Sequence, residues 1–219
     1  MRYRAAIFDM DGLLIDSEPH WQAAGRETLD HYGKTLTEAQ YHSSTGLRTE
    51  EWIEHWFRYF GIGMDAAPAA VEMILEKARQ KIGQQGVPFP GIESVMELLR
   101  GRGLRIGLAT SSPASLVNVV LPRLNLSKGF DRVTTAGGLP FGKPHPQVYL
   151  DCAEQLGVSA TECIAFEDSY YGMIAAKAAR MTCVVVPSAD AYDQQRWAAA
   201  DLKLRSLTEF REEVLNRLG

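Results

Sequence analysis

The 219-residue chain is long enough for one large domain or two unequal ones, and 46% hydrophobic with 23% charged residues is a globular rather than a disordered composition. Its 23 Lys and Arg against 27 Asp and Glu give a formal charge of −4 with no basic stripe, which excludes a nucleic-acid footprint. No apolar run reaches the length of a membrane span, and Asp9 interrupts the first one before a signal-peptide core forms. A soluble, cytoplasmic, monomeric protein is expected.

The first strand is read at Ala5–Phe8, AAIF, and FDMDGLLIDSE then brings Asp9, Asp11 and Gly12 directly after it. Ligand sites in open α/β sheets gather at the carboxyl ends of strands, so both acids stand where a site forms. Asp and Gly are also ordinary turn residues. From about Ser17 to Gln85 only helical periodicity is found, broken by Gly33, Gly46 and the Gly61–Gly63 pair. Trp52, Trp56 and Phe60 share one helix face there, which suits a small core. Arg48, just past Gly46, sits at a break from which a loop tip swings toward the sheet edge. GQQGVPFPG, Gly83–Gly91, reads as a Pro/Gly linker back to the sheet. Residues 17–86 are therefore expected to form an inserted, small all-helical cap domain, with residues 1–16 and 87–219 forming the core.

A helix is expected at Ile92–Arg100 and a strand at Arg105–Thr110, RIGLAT. That strand ends in Thr110, Ser111 and Ser112, hydroxyls that suit phosphate oxygens at a helix N-terminus. Ser112 equally suits an N-cap for a helix over Pro113–Leu121. RVTT, Arg132–Thr135, is the next strand. FGKPHPQVY sets Lys143 in a loop stiffened by Pro144 and Pro146, ahead of a helix at Pro146–Leu156. CIAF, Cys163–Phe166, ends in Glu167 and Asp168, and Ser169 suits the cap of a helix over Ser169–Ala179. CVVV (Cys183–Val186), an edge strand LKL (Leu202–Leu204) and a helix at Leu207–Leu218 complete the alternation. Continuous apolar strands between helices imply an α/β fold with a doubly wound parallel sheet.

Several chemistries are excluded by spacing. Cys152, Cys163 and Cys183 make no CxxC pair and read as buried, reduced thiols. His20, His31, His42, His55 and His145 have no ligand spacing with them. GRGLRIG precedes a strand instead of following one, and no P-loop sequence exists.

Carboxyl ends of parallel strands share one edge, so Asp9, Asp11, Glu167 and Asp168 converge. A like pair at 4 Å costs about 4 kcal/mol at an effective dielectric of about 20. With a phosphate present as well, a divalent cation, the Lys143 ammonium and a shared proton are all needed. Hard oxygen ligands suit Mg²⁺, which binds one or two carboxylates with a substrate phosphate.

With D-x-D-G after the first strand, T-S-S after the second, then G-K-P-H-P and E-D-S, the chain resembles the haloacid dehalogenase superfamily over essentially its whole length. The helical insertion after the first strand matches that family's small cap on a Rossmann-like core. Within it, S-E-P-x-W (Ser17–Trp21), G-L-R (Gly46–Arg48), Lys143–Ala153 and Glu167–Met181 are similar to sugar phosphatases acting on hexitol phosphates and 2-deoxyglucose-6-phosphate. The resemblance implies a Mg²⁺-dependent phosphatase of small phosphorylated metabolites, hexose or hexitol monophosphates. It implies Asp9 as nucleophile forming an aspartyl-phosphate, Asp11 as general acid then base, and Thr110 and Lys143 holding the transferring phosphoryl group. Asp9, the Asp11 carbonyl and Asp168 would bind Mg²⁺, with Glu167 close by. Ser111, Ser112, Arg48, His20 and Trp21 are the expected substrate-binding residues. Two other readings are weighed. A β-phosphoglucomutase carries a cap His where Trp21 stands and a Lys where Pro113 stands. A phospho-receiver domain has its phosphorylated Asp on a later strand than its acidic pair, and no cap.

Overall fold

The computed structural model describes residues 2–218. Strand β1 (Ala5–Phe8) runs into a loop that ends in the two-residue β2 (Ile15–Asp16). Four helices follow: α1 (Glu18–His31), α2 (Glu38–His42), α3 (Thr49–Phe60) and α4 (Ala67–Gln85). The chain returns through β3 (Val87–Pro88), which pairs antiparallel with β2, Ile15 opposite Pro88. Exit and return of the helical insert thus lie side by side, a ribbon absent from the sequence expectation because two residues carry no periodicity. Its partner positions are 71 and 73 residues apart in the chain, too far for any local pattern to reveal.

After the insert come α5 (Ile92–Gly101), β4 (Arg105–Thr110), α6 (Ala114–Arg123), β5 (Arg132–Thr135), α7 (Gln147–Gln155) and β6 (Cys163–Glu167). The chain ends with α8 (Tyr170–Ala178), β7 (Thr182–Val185), β8 (Leu202–Lys203) and α9 (Glu212–Leu218). The strands form one parallel six-stranded sheet in the order β5-β4-β1-β6-β7-β8. The order reverses at β1, so the crevice between β1 and its neighbours is the switch point where α/β sheets bind ligands.

Side chains of a strand alternate between faces, and both faces are apolar here. Ala6 and Phe8 join Ile106, Leu108, Ile164 and Phe166 under α5, α6 and α9. Ala5 and Ile7 join Ala109, Ala165, Cys183 and Val185 under α7 and α8. Phe8 stacks on Phe166 at 4.6 Å between ring centroids. Cys152, Cys163 and Cys183 are free thiols within this second layer. In the insert, Trp52, Ile53, Trp56 and Phe57 face inward from α3, and Phe60 packs against their cluster.

Most expected elements differ from the observed ones only at their ends. α6 runs through Pro122 to Arg123, since a proline in the last turn forfeits a single backbone bond. The helix expected over Leu207–Leu218 is broken into a 3₁₀ turn at Leu207–Glu209 and α9. Between them Phe210 adopts extended backbone and sets its buried ring edge-on against Phe166, 4.9 Å away. Core packing there outweighs helical continuity. Among the described residues no helix is long and apolar enough to cross a membrane.

Candidate active site

β1 delivers Asp9 to the carboxyl edge of the sheet, and the turn after it delivers Asp11. Gly12 makes that turn at φ +73°, and a Cβ there would lie 2.0 Å from Oδ2 of Asp168. A side chain at this position would displace the carboxylate that β6 brings in from the next strand. Gly172 does the same service for Glu167, whose Oε1 would lie 1.9 Å from an added Cβ. The glycine of D-x-D-G thus holds room for an acid from another strand, and that of E-D-S-x-x-G for the glutamate of its own motif.

Lys143 is 1% exposed, and a buried ammonium must be paired. Its Nζ donates to Asp9 Oδ1 at 2.7 Å, to Glu167 Oε1 at 2.6 Å and to the Ala109 carbonyl at 3.2 Å. Burial alone would lower its pKa, but the Asp9 and Glu167 carboxylates outweigh burial and hold it above the ordinary lysine value. Glu167 is saturated. Its Oε1 also accepts from the Tyr149 hydroxyl at 2.5 Å, while Oε2 accepts from Asp168 N, Ser169 N and Ser169 Oγ at 3.0–3.2 Å. Ser169 additionally caps α8 by accepting from Gly172 N, as its place before that helix suggests.

Asp11 is held from two sides. The Trp21 indole N–H donates to Oδ1 at 2.9 Å and the Ser112 hydroxyl to Oδ2 at 2.7 Å. Ser112 is therefore not the N-cap of α6; Pro113 stands there and the helix begins at Ala114. Thr110, at the end of β4, accepts from Ser112 N at 3.0 Å and is 1% exposed. Ser111 reaches the other way, donating to the Gly46 carbonyl of the insert at 3.3 Å.

Asp9, Asp11, Thr110, Ser111, Ser112 and Lys143 all line one cavity between the sheet edge and the insert, as do Asp168 and Trp21. Asp9, Glu167 and Asp168 each present an oxygen within 4.8 Å of the others. Burial pushes the Asp9 carboxyl up to about 7, Lys143 opposing and Glu167 adding to the shift. Burial and the Glu167 and Asp9 charges hold Asp168 well above the carboxylate range. Oδ1 of Asp168 is buried with no hydrogen-bond partner. An orphaned carboxylate oxygen in a cluster that one ammonium does not neutralise fits a hard divalent cation.

Two expected substrate residues are not brought to the cavity. Arg48 donates from Nη1 to the Ala136 and Leu139 carbonyls and from Nη2 to the Pro140 carbonyl and Glu51 Oε1. Its fork ties the insert to the loop that precedes Lys143, and Glu51 completes the tie by accepting from Gly142 N at 3.0 Å. His20 lies on α1 between Glu18 and Trp21, which do line the cavity. Positions three apart share a helix face, so the turn that brings Glu18 and Trp21 inward carries His20 off it. Glu18, Tyr41 and Tyr149 lie outside the expected site residues, and Trp52, expected in the insert's core with sugar stacking as its second role, lines the cavity. Only the S-E-P-x-W spacing, placing Glu18 on the Trp21 face, was available as a signal.

The model of the family described as haloacid dehalogenase-like hydrolase matches residues 6–186. A hexitol phosphatase B of Escherichia coli is 41% identical over 206 residues, covering 94% of this chain and 93% of that protein. A fructose-1-phosphate phosphatase of the same organism is 32% identical, covering 84% of this chain and 97% of that one. Among solved structures, a β-phosphoglucomutase from Clostridium difficile superposes with a TM-score of 0.87 at 24% identity, over 99% of this chain and 96% of that one. At that identity the likeness shows a shared fold.

Proposed function

We propose, because the chain belongs to the haloacid dehalogenase-like hydrolase family, that it is a phosphatase of small sugar or sugar-alcohol monophosphates working through an aspartyl-phosphate. One observation carries this reading: Asp9, bound to the buried Lys143 ammonium, lines the same cavity as Asp11, fixed by Trp21 and Ser112. Relatives named hexitol phosphatase and fructose-1-phosphate phosphatase support the substrate class.

The substrate's phosphate would sit among Asp9, Lys143, Thr110 and Ser111. A carboxylate oxygen of Asp9 attacks phosphorus, and the bond from phosphorus to the sugar oxygen breaks. Asp11 gives its proton to that oxygen, and the alcohol leaves. Asp11, now a carboxylate, takes a proton from water, whose oxygen attacks phosphorus and frees Asp9 and inorganic phosphate. Splitting the displacement in two is the benefit of a covalent intermediate. Ser112 suits both states of Asp11, because a hydroxyl both donates and accepts. Asp9 and Asp168 would hold Mg²⁺, with the Asp11 carbonyl. Glu167, its oxygens already taken, would orient Lys143 and Asp168. The cation supplies charge neutralisation around the phosphoryl group, the main need of phosphoryl transfer. The helical insert, residues 17–86, would act as a cap that excludes water during attack.

A mutase reading is the less favoured. Trp21 offers Asp11 only an N–H donor, where an imidazole would exchange protons. The expected results are turnover of para-nitrophenyl phosphate and of hexitol phosphates, without interconversion of sugar-phosphate isomers. Chelation with EDTA should lower turnover by roughly a hundredfold or more, the scale of a lost metal, and added Mg²⁺ should restore it. Hydrolysis that persists in EDTA after dialysis would remove the metal from the scheme.

A further inference from the structure

The insert wall of the cavity carries several polar groups, one of which the chain itself leaves buried and unsatisfied. Glu18, first residue of α1, lines this wall. Burial pushes its carboxyl up to about 8, and the charges of Asp11, Asp9 and Asp16 push the same way; no cation or donor opposes them. Tyr41 lines the same wall at 7% exposure. Burial, then the charges of Glu18 and Asp11, hold its phenol well above the ordinary tyrosine value against the opposing Arg26 charge. Thr45 Oγ1 is buried without a hydrogen-bond partner. Leu47, Trp52 and Ile74 fill in between as apolar surface. Unsatisfied buried polar groups are costly and call for a ligand or water to complete them. Among the described residues, Lys143 is the one cation lining the cavity, and Asp9 and Glu167 already engage it.

We infer that this wall is a hydroxyl-recognising subsite in which Glu18 selects the uncharged polyol part of a monophosphate and rejects phosphates that carry a second anionic group. The inference rests on the phosphatase reading above and adds the residue that sets the charge of the substrate. A carboxyl accepts from neighbouring hydroxyls when ionised, and donates one bond while accepting another when protonated. In either state the wall holds no cation for a second anion placed near Asp11 and Asp16. The Trp52 face and the Leu47 and Ile74 side chains suit the carbon–hydrogen side of a sugar or hexitol. Arg48 does not line the cavity, and its guanidinium is spent on backbone carbonyls.

The test compares kcat/KM for sorbitol 6-phosphate, phosphoglycolate and para-nitrophenyl phosphate in the wild type, Glu18→Gln and Glu18→Lys. The wild type should favour sorbitol 6-phosphate over phosphoglycolate. Glu18→Gln should narrow that ratio by at least about tenfold. Glu18→Lys should narrow it further and raise phosphoglycolate relative to the aryl phosphate, a gain that a merely structural role would not produce. Ratios unchanged within about twofold in both variants overturn the inference. So does an equal loss on all three substrates, which would place Glu18 in folding or chemistry. A wild type inactive on every monoester overturns the phosphatase reading instead.

Discussion

Asp9→Asn should abolish steady-state phosphatase turnover, by on the order of 10⁴-fold or more, the scale seen when a nucleophile is removed. The amide is isosteric, and its oxygen still accepts from the Lys143 ammonium that Asp9 Oδ1 now holds at 2.7 Å. The fold should therefore survive, and a thermal melt near the wild-type value is part of the expected result. Lost activity with retained stability places the defect in chemistry, because an amide oxygen is a far weaker nucleophile toward phosphorus. Turnover above a tenth of wild type in a clean preparation would remove Asp9 from the nucleophile's role.

Lys143→Ala should fail in both respects. The ammonium is buried against two carboxylates, and its removal leaves Asp9 and Glu167 without the countercharge that offsets their burial. Breaking a buried pair on one side costs roughly 3–5 kcal/mol, partly recovered here if one acid takes up a proton. The catalytic loss should be several hundredfold or more, since a preorganised cation facing the phosphoryl group is worth about 3–4 kcal/mol. Excess Mg²⁺ should not rescue this variant, whereas it should partly rescue Asp168→Ala. Denaturant melts and Mg²⁺ titrations of the two variants, run in parallel, separate the roles. Rescue of Lys143→Ala and not of Asp168→Ala would reverse the assignments.

Much of this site is legible before any coordinates. Asp9, Asp11, Thr110 and Asp168 each follow an apolar strand, and parallel strands end at one edge, so their convergence follows from alternation alone. Lys143 required more, namely that two prolines fix its loop and that converging acids demand a cation. What escaped were choices set by packing across the chain. Whether α1 turns Glu18 and Trp21 or His20 to the cavity depends on how the β2–β3 ribbon seats the insert. Glu18 alone reads as an acid complementing a helix N-terminus. Arg48 was legible as a loop cation, but its partners are carbonyls from 136 to 140, far along the chain. The break at Phe210 likewise depends on Phe166, a residue of another strand.

The proposed mechanism turns on phosphorylation of Asp9. Asp11→Asn should allow attack by Asp9 on an aryl phosphate, whose leaving group needs little protonation, and stall the hydrolysis that follows. Rapid acid quench and borohydride reduction, followed by peptide mass spectrometry, read the product directly. The expected product is a phosphoryl adduct confined to the peptide holding Asp9, converted to homoserine at that position on reduction. An adduct on another side chain, or continued turnover with no adduct at all, would contradict it.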